Sequence, residues 1–71
     1  MKKMVLIDGM SCDHCVKRVT NALSEISGTS DVQVKLSQNL AEFSTDGSVT
    51  DEIIKNEIED LGFDVREIKT L

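Results

Sequence analysis

Twice within 71 residues the spacing of apolar side chains changes from one that suits a strand to one that suits a helix. Lys3 to Asp8 reads as a strand, with Val5 and Ile7 on one side and Met4 and Leu6 on the other. Val16, Val19, Leu23 and Ile26 then recur at steps of three and four, the stripe of a helix over residues 13 to 26. Asp31 to Leu36 alternates with Val32, Val34 and Leu36 inward, Ser37-Gln38-Asn39 turns, and Leu40 to Thr45 returns with Ala41 and Phe43 inward. That pattern is a β-hairpin. Val49, Ile54, Ile58 and Leu61 form the second helical stripe, opened by Thr50 as N-cap with Asp51 and Glu52 in the first turn. Val65 to Leu71 is a last strand with Val65 and Ile68 as its apolar members. Gly28 and Gly62 follow the two helices, where a left-handed turn out of a helix favours glycine.

The order is therefore βαββαβ, two βαβ halves of similar length. Such a chain is expected to fold as an α+β, ferredoxin-like split βαβ arrangement, a four-stranded antiparallel sheet with both helices on one face. No proline or glycine-rich linker interrupts it, so residues 1–71 are expected to be a single domain. The sheet face carrying Met4, Leu6 and Leu40 is expected to stay at least partly open, as a weak self-association or partner surface.

Size and charge narrow the function. Seventy-one residues leave little room for a deep substrate pocket beside a core, which weighs against an ordinary enzyme. The formal charge of −5 argues against nucleic acid and anionic membrane surfaces as partners. The acids cluster: seven lie between Asp46 and Asp64, against the single base Lys55. That run reads as a solvated face or as a docking surface for a basic partner. The longest apolar run, Met4 to Ile7, is too short to insert in a membrane. Met1-Lys2-Lys3 is too brief for a signal peptide. A cytoplasmic location is expected.

The chemistry concentrates in Asp8-Gly9-Met10-Ser11-Cys12-Asp13-His14-Cys15, which holds both cysteines and the one histidine. Here a strand ends, a loop opens at Gly9 and a helix begins. The two thiols stand at a helix N-terminus, where backbone N–H groups and the macrodipole favour thiolate. Two cysteines three apart in a reducing compartment are a metal site or a redox pair rather than a disulfide framework. Two thiolates without another obvious donor make a low-coordinate, soft site that suits Cu(I), and also Ag(I) and Hg(II). Zn(II) suits it less, because structural zinc takes four ligands and the chain has no second Cys or His pair. His14 is expected to point outward, as an exposed polar residue or as an auxiliary ligand in a copper-bridged dimer. Lys17 and Arg18, one turn on, read as ordinary surface charge or as screening for an anionic bis-thiolate complex.

Gly9-Met10-Ser11-Cys12-Asp13-His14-Cys15 resembles the G-M-x-C-x-x-C motif of the heavy-metal-associated domain family. The likeness extends over essentially the whole chain, including the element order and the Leu61-Gly62-Phe63-Asp64 loop that in this family faces the metal. Within the family the sequence is most similar to the small bacterial copper chaperones, which pass Cu(I) to copper-transporting P-type ATPases. The resemblance implies that Cys12 and Cys15 are the ligands and that Met10 anchors the loop in the core, although its thioether could also reach Cu(I). It implies that Ser11, standing where zinc- and cadmium-preferring members often carry Asp, favours copper. Phe63 departs from the Tyr of many bacterial chaperones towards the Phe of ATPase-borne domains, and is expected to pack over the loop.

The resulting expectation is a cytosolic, non-enzymatic Cu(I) chaperone. It would be monomeric without metal, have a metal-bridged dimer as an alternative, and serve the metal-binding domain of a copper-transporting P-type ATPase. The start at Met1-Lys2-Lys3 favours a free-standing chain over a domain of such an ATPase or a mercury-binding relative. A small dithiol oxidoreductase is the rival of a different class. Thioredoxin-like proteins, however, are longer and usually carry a Trp before the motif and Gly-Pro within it. This chain has no Trp and no Pro.

Overall fold

β1 (Lys2–Asp8) runs through the middle of the sheet, flanked by β3 (Leu40–Thr45) and β4 (Asp64–Thr70), with β2 (Thr29–Lys35) on the outer side of β3. The computed structural model describes all 71 residues. All three strand pairings are antiparallel and the spatial order is β2-β3-β1-β4. The expected ferredoxin-like α+β architecture is the one observed. Val5 lies opposite Ala41 and Ile68, so one side of the sheet presents a continuous apolar surface. Onto it pack α1 (Asp13–Glu25), through Val19, Ala22 and Leu23, and α2 (Asp51–Glu59), through Ile54 and Ile58. α1 lies over β2, α2 over β4, and the helices touch each other.

The helix ends follow their chemistry. Thr50 caps α2, its hydroxyl accepting from the Ile53 N–H at 3.3 Å. At the C-terminus of α1 the Thr29 hydroxyl lies 2.6 Å from the Leu23 carbonyl oxygen and 2.8 Å from that of Ile26, serving groups the helix cannot pair itself. Gly28 has φ +92°, and a Cβ there would stand 2.6 Å from the Asp46 carboxylate, so position and space both require glycine.

Three details differ from the sequence expectation. β2 begins at Thr29, two residues early, because a bulge between Ser30 and Gln33, with Asp31 at φ +53°, absorbs the step that alternation alone would not allow. Leu36 belongs to a single 3₁₀ turn (Leu36–Gln38) rather than to the strand, and Asn39 closes that turn in the left-handed region. On the sheet side facing away from the helices, Met4 and Leu6 are half-buried, but Leu40 is buried. It sits between Leu6 and Lys35 on the neighbouring strands. The charged side chains of that face are paired, Glu42 lying 3.3 Å from both Lys2 and Lys35.

The helix-facing side holds one residue that no periodicity flagged. Lys3 is only 8% exposed and its Nζ lies 2.6 Å from Asp51 Oδ1. A buried ammonium without a partner would be costly, and the first residue of α2 supplies one.

Candidate metal centre

The end of β1 and the start of α1 are joined by four residues that are shaped by two opposite demands. Gly9 turns the chain at φ +104°, a conformation that other residues rarely adopt. Met10 then points inward and is 7% exposed, part of the same buried cluster as Val5, Val19 and Phe63. With Met10 anchored inside, Ser11 and Cys12 emerge at the surface.

Cys12 is the N-cap of α1, in extended conformation (φ −158°, ψ 174°), and its carbonyl oxygen accepts from the N–H groups of Cys15 (3.1 Å) and Val16 (3.3 Å). Its side chain makes no capping hydrogen bond. A thiol thus occupies the position where Ser, Thr, Asp or Asn normally serves the free N–H groups of the first turn. Those groups and the helix dipole favour negative charge at this place. Cys15 sits on the first turn, half-buried, packed against the core cluster. The two Sγ atoms are 3.8 Å apart. The Ser11 backbone N–H aimed at Cys15 holds its thiol below the ordinary value, against the opposing effect of burial, with the Cys12 side chain and backbone adding to the lowering. One helix end thereby presents an exposed sulfur and a half-buried one whose thiolate form is favoured.

No set of three or more His, Cys, Asp or Glu side chains gathers anywhere in the chain. His14 is exposed on the first turn of α1, beside the cysteines in sequence but not grouped with them into a three-donor site. Met10 is inside the core, on the far side of the loop from solvent. Phe63 is buried as well, and its ring edge would lie 3.2 Å from a Cβ on Gly9. The loop that ends α2 therefore packs directly on the loop that carries the cysteines.

The participant that sequence reasoning missed is Arg18 as a bridge. Its Nη2 donates to the Leu61 carbonyl oxygen at 2.9 Å, and the guanidinium lies 5.6 Å from the centre of the Phe63 ring. The only hint in the sequence was an arginine one helical turn beyond Cys15, and that pattern also fits plain surface charge. At the β1 end of the loop, Arg66 similarly pairs with Asp8 at 2.8 Å.

Against known proteins, residues 4–64 match the heavy-metal-associated domain model. The copper chaperone CopZ of Staphylococcus epidermidis is 38% identical over 66 residues, covering 92% of this chain and 97% of that one. Among solved structures, the CopZ metallochaperone superposes with a TM-score of 0.88 at 34% identity, covering 93% of this chain and all of the other. A copper-binding domain from HMA7, a P-type ATPase, gives the same TM-score of 0.88 at 40% identity, over 99% of this chain and 96% of that one.

Proposed function

This chain belongs to the heavy-metal-associated domain family, and we propose that within it the protein is a carrier of Cu(I) that holds the ion between Cys12 and Cys15. The observation that carries the reading is the pair of thiols 3.8 Å apart at an uncapped helix N-terminus with no third protein donor. Metal–sulfur bonds of about 2.3 Å allow two sulfurs to stand at most about 4.6 Å apart across one ion. The pair is already inside that limit, and a shift of Cys12 of under about 1 Å would open it to a linear arrangement, which the exposed N-cap position permits. A disulfide, by contrast, needs the sulfurs at about 2.05 Å. Two soft donors suit Cu(I), and Ag(I) or Hg(II) by the same chemistry, better than Zn(II).

Cargo exchange follows from the same features. Cys12 is exposed, so a thiolate of an acceptor can reach the ion and bind as a third sulfur before the bond to Cys12 is released. Cys15, half-buried, would be the last to let go. No protein side chain is consumed and no bond of an organic substrate is broken, so the role is that of a carrier rather than a catalyst. The acceptor we favour is the metal-binding domain of a copper-transporting P-type ATPase, a domain of the same fold. No helix is long and apolar enough to cross a membrane. Delivery in the cytoplasm is part of the proposal. His14, exposed on the first turn, would act only as an auxiliary ligand where a second molecule's thiols share the ion. Without metal the chain would be monomeric.

Anaerobic Cu(I) titration against a strong competing chelator tests the assignment, with Zn(II) run in parallel. One Cu(I) per chain is expected, lost in both Cys12→Ala and Cys15→Ala, while Zn(II) is displaced easily. Retention of one-to-one binding in Cys12→Ala, or ready removal of Cu(I) from the unmodified protein, would refute it. A second reading, the same site working as a module of a P-type ATPase, is favoured by one observation: the equal TM-score against the HMA7 domain. Detection of the polypeptide in cells at its 7.8 kDa mass supports the free carrier, and detection only within a larger chain supports the module.

A further inference from the structure

We propose that Arg18 is a positioning residue for metal exchange: from the second turn of α1 it clamps the Leu61–Phe63 loop against the cysteine loop and so limits access to the ion. The inference rests on the Cu(I)-carrier reading but adds a residue and a role that reading does not require.

The observations form one chain of contacts. α2 ends without a basic residue in its last turn, and Glu57, Glu59 and Asp60 crowd that end, where the helix dipole already disfavours negative charge. The missing cation comes from the other helix: Arg18 donates to the Leu61 carbonyl oxygen, which lies just beyond α2. The same guanidinium covers the face of Phe63, two residues further on. Between the two contacts stands Gly62, at φ +97°, its N–H donating to the Glu59 carbonyl oxygen at 3.0 Å and nothing within 4 Å of where a Cβ would lie, so the loop has at its centre a joint that no side chain braces. One planar group thus holds both sides of that joint, which an ammonium point charge could not do equally well. Phe63 passes the restraint on, because it packs on Gly9 and shares a buried cluster with Met10, against which Cys15 also rests. Freed from Arg18, the loop can move at Gly62 and loosen the cluster of Phe63 and Met10 against which Cys15 rests, the sulfur that the proposed exchange leaves until last. The incoming donor would form its bond to Cu(I) as the bond to Cys15 breaks, without change of oxidation state.

The test compares Arg18→Gln, Arg18→Lys and Lys55→Gln, the last removing one positive charge at an exposed site of α2 away from these contacts. Stopped-flow capture of Cu(I) by the anionic chelator bicinchoninate reads access to the ion. Loss of a positive charge alone slows approach of an anion, so faster capture cannot come from charge. Arg18→Gln is expected to speed capture about three- to fivefold, the scale of one lost exposed guanidinium–ring contact, since glutamine and water can still serve the Leu61 carbonyl oxygen. Arg18→Lys should lie between it and the unmodified protein, and Lys55→Gln should be unchanged or slower. Capture by Arg18→Gln no faster than by Lys55→Gln would overturn the proposal. Amide NMR of the metal-free protein examines the clamp independently of cargo. Arg18→Gln should shift and broaden Gly9 and Gly62, and unmoved Gly9 resonances would overturn the transmission from loop to loop. Failure of the unmodified protein to hold Cu(I), with those shifts present, would instead count against the carrier reading.

Discussion

Lys3 and Asp51 offer a sharp test of how the fold tolerates charge, because the two partners are unequally exposed. The Lys3 side chain is 10% exposed and that of Asp51 56%, with 2.6 Å between Nζ and Oδ1. Removing the acid in Asp51→Asn leaves an ammonium in the core without a counter-charge and deletes an anion from the first turn of α2. A hydrogen bond to a charged group contributes about 1.5–3 kcal/mol, which we halve because the carboxylate is more than half in water. The helix-dipole contribution adds about 0.3–1 kcal/mol. The expected loss is therefore about 2 kcal/mol, or about 8–16 °C in Tm for a domain of this size. Removing the base in Lys3→Met instead takes a desolvated charge out and leaves a side chain of similar length in the apolar surface, so the change should stay within about 1 kcal/mol. The double variant should then be more stable than Asp51→Asn alone. Urea unfolding followed by far-UV circular dichroism, with unchanged m values, measures all four proteins. If Asp51→Asn costs under about 0.5 kcal/mol, or Lys3→Met costs as much as Asp51→Asn, the ammonium is not desolvated and the reasoning fails.

Three further expectations follow from single features. Gly28→Ala should cost about 2 kcal/mol by thermal unfolding, since a Cβ at φ +92° would press on the carboxylate of Asp46 and the hydroxyl of Ser48. Lys35 first, and Lys2 beside it, hold the Glu42 carboxyl below its ordinary value. A depressed carboxyl stabilises the fold above its unfolded pKa, and this contribution fades as pH falls through the lower folded value; Glu42→Gln should therefore flatten the stability profile in the acid range, and an unchanged acid limb would count against the pairing. In a Cys12→Ser background the Cys15 alkylation rate with iodoacetamide should rise at a pH below that of an ordinary thiol. Ser11→Pro, which removes the N–H aimed at Cys15, should move that midpoint up, and an unmoved midpoint would show that the Ser11 amide is not the cause.

Much of the site was legible because its parts are close together in the chain. A strand that ends at Asp8, a glycine, an inward methionine and two cysteines three apart at a helix start are all local signals. Local backbone geometry is enough to put both thiols at one N-terminus. Phe63 was readable as a packing residue from the same family pattern, and it is buried beside Gly9. What escaped was everything that depends on a distant element arriving. Arg18 meets Leu61 across 43 residues, and Lys3 meets Asp51 across 48. An arginine on a helix flank and a lysine near the beginning of a strand look solvated until another helix end is brought to them.

The sequence by itself determined the order βαββαβ, the inward faces of both helices and of the hairpin, and the placing of two thiols at a helix N-terminus. Each is a consequence of side-chain periodicity or of capping chemistry within a few residues. Only the tertiary structure decided that Lys3 is buried and paired, that Leu40 is covered on the outer face, that β2 bulges at Asp31, and that Arg18 ties one loop to the other. Periodicity says which side of an element faces inward. It does not say what else will be packed there, because that depends on long-range geometry which no local pattern encodes.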